Sequence, residues 1–216
     1  MALPYCLVLL AHMDDESISS AGYIQSRVAM GYGVKLVAVF DRKYDYGKGE
    51  QHIQEQKTAC NEACGLLGIT SYHLLHKPEG DPYQVLAQEV LKELETIMLV
   101  SNPVEVVIPD PRDRNLDHQW LHNLCKIVLR PWANPTLRRV LMAQALDAVA
   151  RECNYFVPLT KKMLAVKLKA IACYDREARI SPHPRSPELI KANAVVSGSH
   201  CHEMFAEPYR LFYQKD

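Results

Sequence analysis

The chain has 216 residues, close to half of them hydrophobic, and its 25 Lys and Arg balance 25 Asp and Glu. A formal net charge of zero argues against a nucleic-acid binder or an anionic-membrane adhesin, and no apolar run approaches the length of a membrane span. The seven cysteines, an odd number without a Cys-x-x-Cys pair, read as free thiols in a reducing compartment, so the expected location is the cytoplasm.

Met1 to Tyr5 carries no basic segment, and the apolar run that follows ends in acids rather than a small-residue cleavage site, so no signal peptide is expected. Tyr5 to Leu10 reads as a buried strand, followed by a helix over Ser17–Met30 that Gly31 and Gly33 stop. Val34–Phe40 is almost wholly apolar and reads as a second buried strand. A polar loop, Asp41–Gly49, leads to a helix over Glu50–Leu67 that ends at Gly68, and a short strand is expected over Ser71–Leu75. In Pro82–Val100, Val85, Leu86, Val90, Leu91, Leu94, Ile97 and Met98 recur at three- and four-residue steps, the period of an amphipathic helix. Val104–Pro109 is the next buried strand, with a helix after it over Asp117–Leu129. Strand and helix alternating in this way predict a Rossmann-like, mostly parallel α/β sheet.

Beyond Arg130 the pattern loosens. Arg138–Met142 suggests a strand, and Ala143–Val149 fits either a short helix or another strand. Thr160 would cap a helix running to Ala178, with Lys161, Lys162, Lys167 and Lys169 on its wet face. Three prolines stiffen Ser181–Pro187, a helix follows over Pro187–Val195, and Glu203–Phe212 is extended. Trp120 and Trp132 read as packing residues. The expected organisation is one domain over 1–216, in which 1–130 forms the core and 131–216 completes the sheet and the substrate pocket.

The chemistry concentrates where the first strand ends, at His12-Met13-Asp14-Asp15-Glu16-Ser17. Three carboxylates and an imidazole at the mouth of a buried strand need a cation to offset them. His12 and Asp15 there, with His118 at the mouth of a later strand, make two imidazoles and one carboxylate. That is a catalytic-zinc pattern with a position left open, although the same set suits ferrous iron. A metal lowers the pKa of bound water toward neutrality, and Asp14, beside a ligand, is the candidate base for its proton. The loops after the strands also carry Arg42, Arg112 and Arg114, and His183 lies in the proline-rich loop. These four are the candidate substrate contacts.

Ala11-His12-Met13-Asp14-Asp15-Glu16 resembles the A-H-x-D-D-E motif of the LmbE-like/PIG-L family of N-acetylglucosaminyl deacetylases, and Asn115-Leu116-Asp117-His118 resembles its second motif, H-P-D-H. Fainter echoes are Glu62–Gly68, Lys167–Tyr174 and Glu203–Phe205. The resemblance implies that His12, Asp15 and His118 hold zinc, that Asp14 is the base, and that Asp117 orients an imidazole or tunes the base. The implied reaction removes the N-acetyl group from a GlcNAc-type conjugate. Homo-oligomers are common in the family.

Two positions depart from the family pattern: Asn115 replaces a histidine and Asp113 a tyrosine. Asn115 can donate to an oxyanion but cannot protonate a leaving amine. Asp14 or a C-terminal histidine (His183, His200 or His202) would then supply the proton. The alternative reading is a sugar or nucleotide-sugar binding domain that retains the metal pocket. A dinucleotide-dependent oxidoreductase is disfavoured, because the first strand–helix turn has no glycine-rich loop.

Overall fold

The computed structural model describes residues 3–41, 49–80, 82–145, 152–175 and 179–216. Arg42 and the segment 146–149 lie outside them. Among the described residues seven strands form one sheet: β1 (Tyr5–Leu10), β2 (Gly33–Asp41), β3 (Ser71–Pro78), β4 (Glu105–Pro109), β5 (Arg139–Ala143), β6 (Tyr155–Pro158) and β7 (Ala206–Gln214). Their order is β3-β2-β1-β4-β5-β7-β6. The first five are parallel, and β7 runs antiparallel to both β5 and β6. The helices are α1 (Asp15–Ser19), α2 (Ala21–Ala29), α3 (Gly49–Leu67), α4 (Ala87–Ser101), α5 (Leu116–Val128), α6 (Lys161–Ala172) and α7 (Pro187–Ser199).

Strand β1 is covered on both faces. Val8 and Leu10 point into a core shared with Tyr23, Leu36, Cys60, Ala63 and Tyr174, while Leu7 and Leu9 point into one shared with Val37, Leu94, Ile108 and Leu121. That two-sided burial explains why its sequence is continuously apolar rather than alternating. The chain winds from β1 to β2 to β3, then returns to place β4 on the other side of β1. The carboxyl ends of β1 and β4 therefore flank the switch point of the sheet, where open α/β folds form their ligand crevice. His12 follows β1, and the segment 110–118 follows β4.

Several expectations need correction. The helix expected over Ser17–Met30 is two helices broken at Ser20, where Ser19 Oγ donates to the Asp15 carbonyl at 2.8 Å. Such a local side-chain bond competes with helical continuation. The helix expected from Pro82 opens as a single 3-10 turn, Pro82–Gln84, before α4 begins at Ala87. Strand β6 was too short to carry a period. Thr160 does cap α6, accepting from Met163 N at 3.1 Å, but Lys167 is not on a wet face. It is buried, and its Nζ donates to Glu207 at 2.6 Å. Glu207 also accepts from the backbone N–H groups of Gly22 and Tyr23, at 3.1 and 2.9 Å in the first turn of α2, so one carboxylate ties β7, α6 and α2 together. A Cβ at Gly22 would run into Leu159 Cδ2 and crowd the Glu207 carboxylate. Trp120 packs edge-on against Phe40, whereas Trp132 is exposed under the Arg130 guanidinium.

Candidate metal centre and active site

The donor atoms of His12, Asp15 and His118 lie within 4.8 Å of one another, and all three side chains are buried. Their geometry follows from the two loops. His12 Nε2 is 2.9 Å from Asp117 Oδ2, and His118 Nδ1 is 2.9 Å from Asp113 Oδ2. A carboxylate can only accept, so each imidazole carries its N–H on the outer nitrogen and turns a lone pair inward. The inward pair, His12 Nδ1 and His118 Nε2, are 3.2 Å apart. Asp15 Oδ2 lies 3.2 Å from His118 Nε2 and 3.6 Å from His12 Nδ1, and its position is fixed by the His12 backbone N–H at 2.9 Å.

Three lone pairs thus face one another in a dry place, an arrangement that repels itself unless a cation sits among them. The residues fit a divalent metal: two imidazoles and a carboxylate, each imidazole clamped from behind by a second carboxylate. The titration behaviour agrees. Burial opposes a charge on His12, yet the hydrogen bonds of Asp117 and Asp15 bring its pKa up to about 9. His118 is likewise raised well above its ordinary value, because Asp15 and Asp113 outweigh burial. Asp15 is held well below the usual carboxylate range by the two imidazoles, against its own burial.

Asp14 is buried beside the three ligand residues, and its Oδ2 faces Arg185 Nη1 at 3.5 Å. Arg185 reaches in from the turn before α7, and only 15% of its side chain is exposed. Sequence reasoning did not single it out. No local spacing marks it, because its partner Asp14 lies at the other end of the chain. Glu16, next to Asp15, is fully buried and accepts from Ser17 Oγ at 2.7 Å and the Tyr174 hydroxyl at 2.9 Å. Burial pushes its pKa up to about 7 despite those two bonds.

The other sequence candidates fall away from this cluster or into supporting places. Asn115 is exposed and caps α5, its Oδ1 accepting from Asp117 N at 2.8 Å. The cap holds the first turn that carries both Asp117 and His118. Asn115→Ala is therefore expected to lower stability by about 1 kcal/mol, seen as a fall of roughly 3 °C in Tm, with bound metal unchanged. A loss of activity much beyond that would place the side chain on substrate. Arg112 is committed to Asp110, through Nε and Nη2 at 3.1 Å each, and to Glu152 at 3.0 Å. Arg114 and His183 are exposed, and His183 Nδ1 accepts from Arg185 N at 3.1 Å, shaping the turn that delivers Arg185. Asp117, besides clamping His12, accepts from the Gly80 N–H at 3.2 Å, which draws the loop after β3 over the site.

A search of curated protein sequences finds no significant match. A family model described as PIG-L: GlcNAc-PI de-N-acetylase matches residues 7–129, a stretch that contains His12, Asp14, Asp15, Asp113, Asp117 and His118. The chain belongs to the PIG-L family. Among solved structures it is similar to an N,N'-diacetylchitobiose deacetylase from Pyrococcus horikoshii, at 19% identity and a TM-score of 0.80, over 96% of this chain and 83% of that one. It is also similar to GalB, a 4-carboxy-2-hydroxymuconate hydratase from Pseudomonas putida KT2440, at 17% identity and TM-score 0.77, over 99% and 98% of the two chains. A zinc-inhibited form of the teicoplanin deacetylase Orf2 matches at 13% and 0.77, over 98% and 99%. At such identities the likeness is one of fold, and a fold shared by deacetylases and a hydratase leaves the reaction to be argued from the site.

Proposed function

We propose that this PIG-L family chain is a cytoplasmic, zinc-dependent amidohydrolase that removes the N-acetyl group from a GlcNAc-type amino-sugar conjugate, releasing acetate and a free amine. The observation that carries the reading is the set of three inward lone pairs on His12, Asp15 and His118 with a fourth carboxylate, Asp14, beside them. When bound there, a divalent cation supplies Lewis acidity toward water and an amide carbonyl. The remaining work falls to side chains of this chain. Asp117 and Asp113 hold the two imidazoles as neutral donors. Asp14 accepts the proton of the attacking water and hands it to the departing amine. With Asn115 spent on the helix cap and Asp113 on His118, Asp14 has to serve both halves of that transfer. Arg185 holds its carboxylate in position.

The direct test is acetate release from a panel of N-acetylated sugar conjugates by protein carrying one equivalent of zinc. Release should stop with a chelator and return with zinc. Excess zinc is avoided, because a structural relative is described in a zinc-inhibited form. The second reading, a binding domain that keeps the metal pocket, is favoured by one observation: neither Asn115 nor Asp113 is placed to protonate a leaving group. Binding without acetate release would establish it. Arg185→Met is expected to lower kcat about a hundredfold with little change in KM, and Arg185→Lys to recover part of the loss. A change confined to KM would instead make Arg185 a substrate contact.

A further inference from the structure

A cavity of about 400 Å³ lies between the last two turns of α4 and the turn that follows α5, with Glu95, Met98 and Leu99 on one wall and Arg130, Ala133 and Pro135 on the other. It is remote from the metal centre. Helix α5 carries His118 in its first turn and Val128, which also lines the cavity, in its last, about 15 Å further along the axis. The large apolar side chains around the opening face solvent: Leu99 is 82% exposed, Val100 75% and Trp132 77%. Trp132 belongs to the same turn as Arg130 and Ala133, and its ring centroid lies 4.9 Å from the Arg130 guanidinium. Exposed apolar surface gathered in one place marks an interaction face. Charge is divided between the walls, with Glu95 on α4 and Arg130 on the turn. Among the described residues neither of them forms an ion pair.

We propose that this face is the twofold interface of a homodimer, in which Trp132 of each copy enters the cavity of the other. A second copy is the occupant because the face is complementary to itself. A projecting indole and an apolar-walled hollow stand side by side on it, so a single twofold rotation seats each knob in the other copy's hole. The same rotation brings Arg130, stacked on the Trp132 ring, against the partner subunit's Glu95, and two such ion pairs form with no like charges opposed. A strongly acidic or strongly basic partner would instead meet one wall of its own sign. The cavity is of a size that holds a small organic molecule, ample for one indole. Trp and Arg are also the side chains in which binding energy concentrates at protein interfaces. The metal centre, at the far end of α5, takes no part in the contact, so the dimer stands or falls apart from the deacetylase reading.

The test is analytical ultracentrifugation of the full zinc-loaded chain across a series of protein concentrations. The wild type should sediment as a monomer–dimer equilibrium with a dissociation constant in the micromolar range or below. Trp132→Ser should weaken dimerisation by at least about thirtyfold. Glu95→Arg and Arg130→Glu should each weaken it by about tenfold, because each sets two like charges against one another across the twofold. The variant that carries both exchanges should recover most of the Glu95→Arg loss, since its facing charges are again opposite in sign. All three residues are exposed, so Tm and zinc content should stay at wild-type values in every variant and control for misfolding. A wild type that is monomeric throughout the series, a trimer or larger ring, an association that survives Trp132→Ser, or a double exchange no better than Glu95→Arg alone would overturn the twofold interface.

Discussion

Replacing Asp14 with Asn should leave about one zinc per chain in place and cut acetate release by roughly two to four orders of magnitude. The substitution keeps the size and the planar shape of the side chain, so the buried pocket beside β1 is not disturbed. It removes the negative charge, and with it the ability to accept a proton. Asp14 Oδ2 pairs with Arg185 Nη1 at 3.5 Å through charge, so Arg185→Met, which removes that pairing and keeps the Asp14 carboxylate, is the variant that separates positioning from proton transfer. Because Asn115 and Asp113 are engaged in the α5 cap and the His118 clamp, no neighbouring group among these stands ready to substitute as the acid or base. The loss should therefore fall on kcat rather than KM. Zinc content by elemental analysis and steady-state kinetics on the same preparation check it. A variant that keeps its zinc and turns over within tenfold of wild type would remove Asp14 as the base and leave the proton transfer to His183, His200 or His202.

The parts of the molecule that were legible in the sequence are those governed by short-range rules. Strand β1 could be read to the residue because a run buried on both faces has no polar interruption, and α3 because Gly68, at φ 79°, ends it in a conformation that suits glycine. The parallel α/β sheet followed from the alternation of such elements. The clustering of His12, Asp15 and His118 could be anticipated because strand ends β1 and β4 sit side by side at the switch point. What was not legible depends on contacts made across long stretches of chain. Lys167 looks like any surface lysine of an amphipathic helix until Glu207, forty residues later, is placed against it. Arg185 and Asp14 are far apart in sequence and meet only when α7 is laid down beside the carboxyl end of β1. Asp113, which departs from the family's tyrosine, looked like a lost catalytic group. In the fold it is the second of two matched carboxylate clamps, a role that no spacing rule encodes.

His118→Ala should reduce bound zinc to background and abolish turnover, because it removes one of three ligands and leaves Asp113 buried without its imidazole partner. The complementary experiment removes the metal instead. Against burial, Asp117 and Asp15 raise His12, and Asp15 and Asp113 raise His118, above the ordinary histidine value, so in the stripped protein these imidazoles take up protons in the cation's place. A histidine whose folded pKa is raised contributes stability that is fully present below its unfolded value near 6.5 and is lost as pH rises through the folded one, here about 9 for His12. Apo protein should therefore lose stability between about pH 6.5 and 9. Zinc must displace those protons, so its affinity should climb across the same window, and the stabilisation it confers grows with affinity. The gap in Tm between zinc-loaded and chelated protein should be small at pH 6 and several degrees wider at pH 8.5. In His118→Ala the gap should vanish at both. A gap that is constant with pH, or that widens toward acid, would mean that protons and metal do not compete for the same lone pairs, and the three ligands would have to be reassigned.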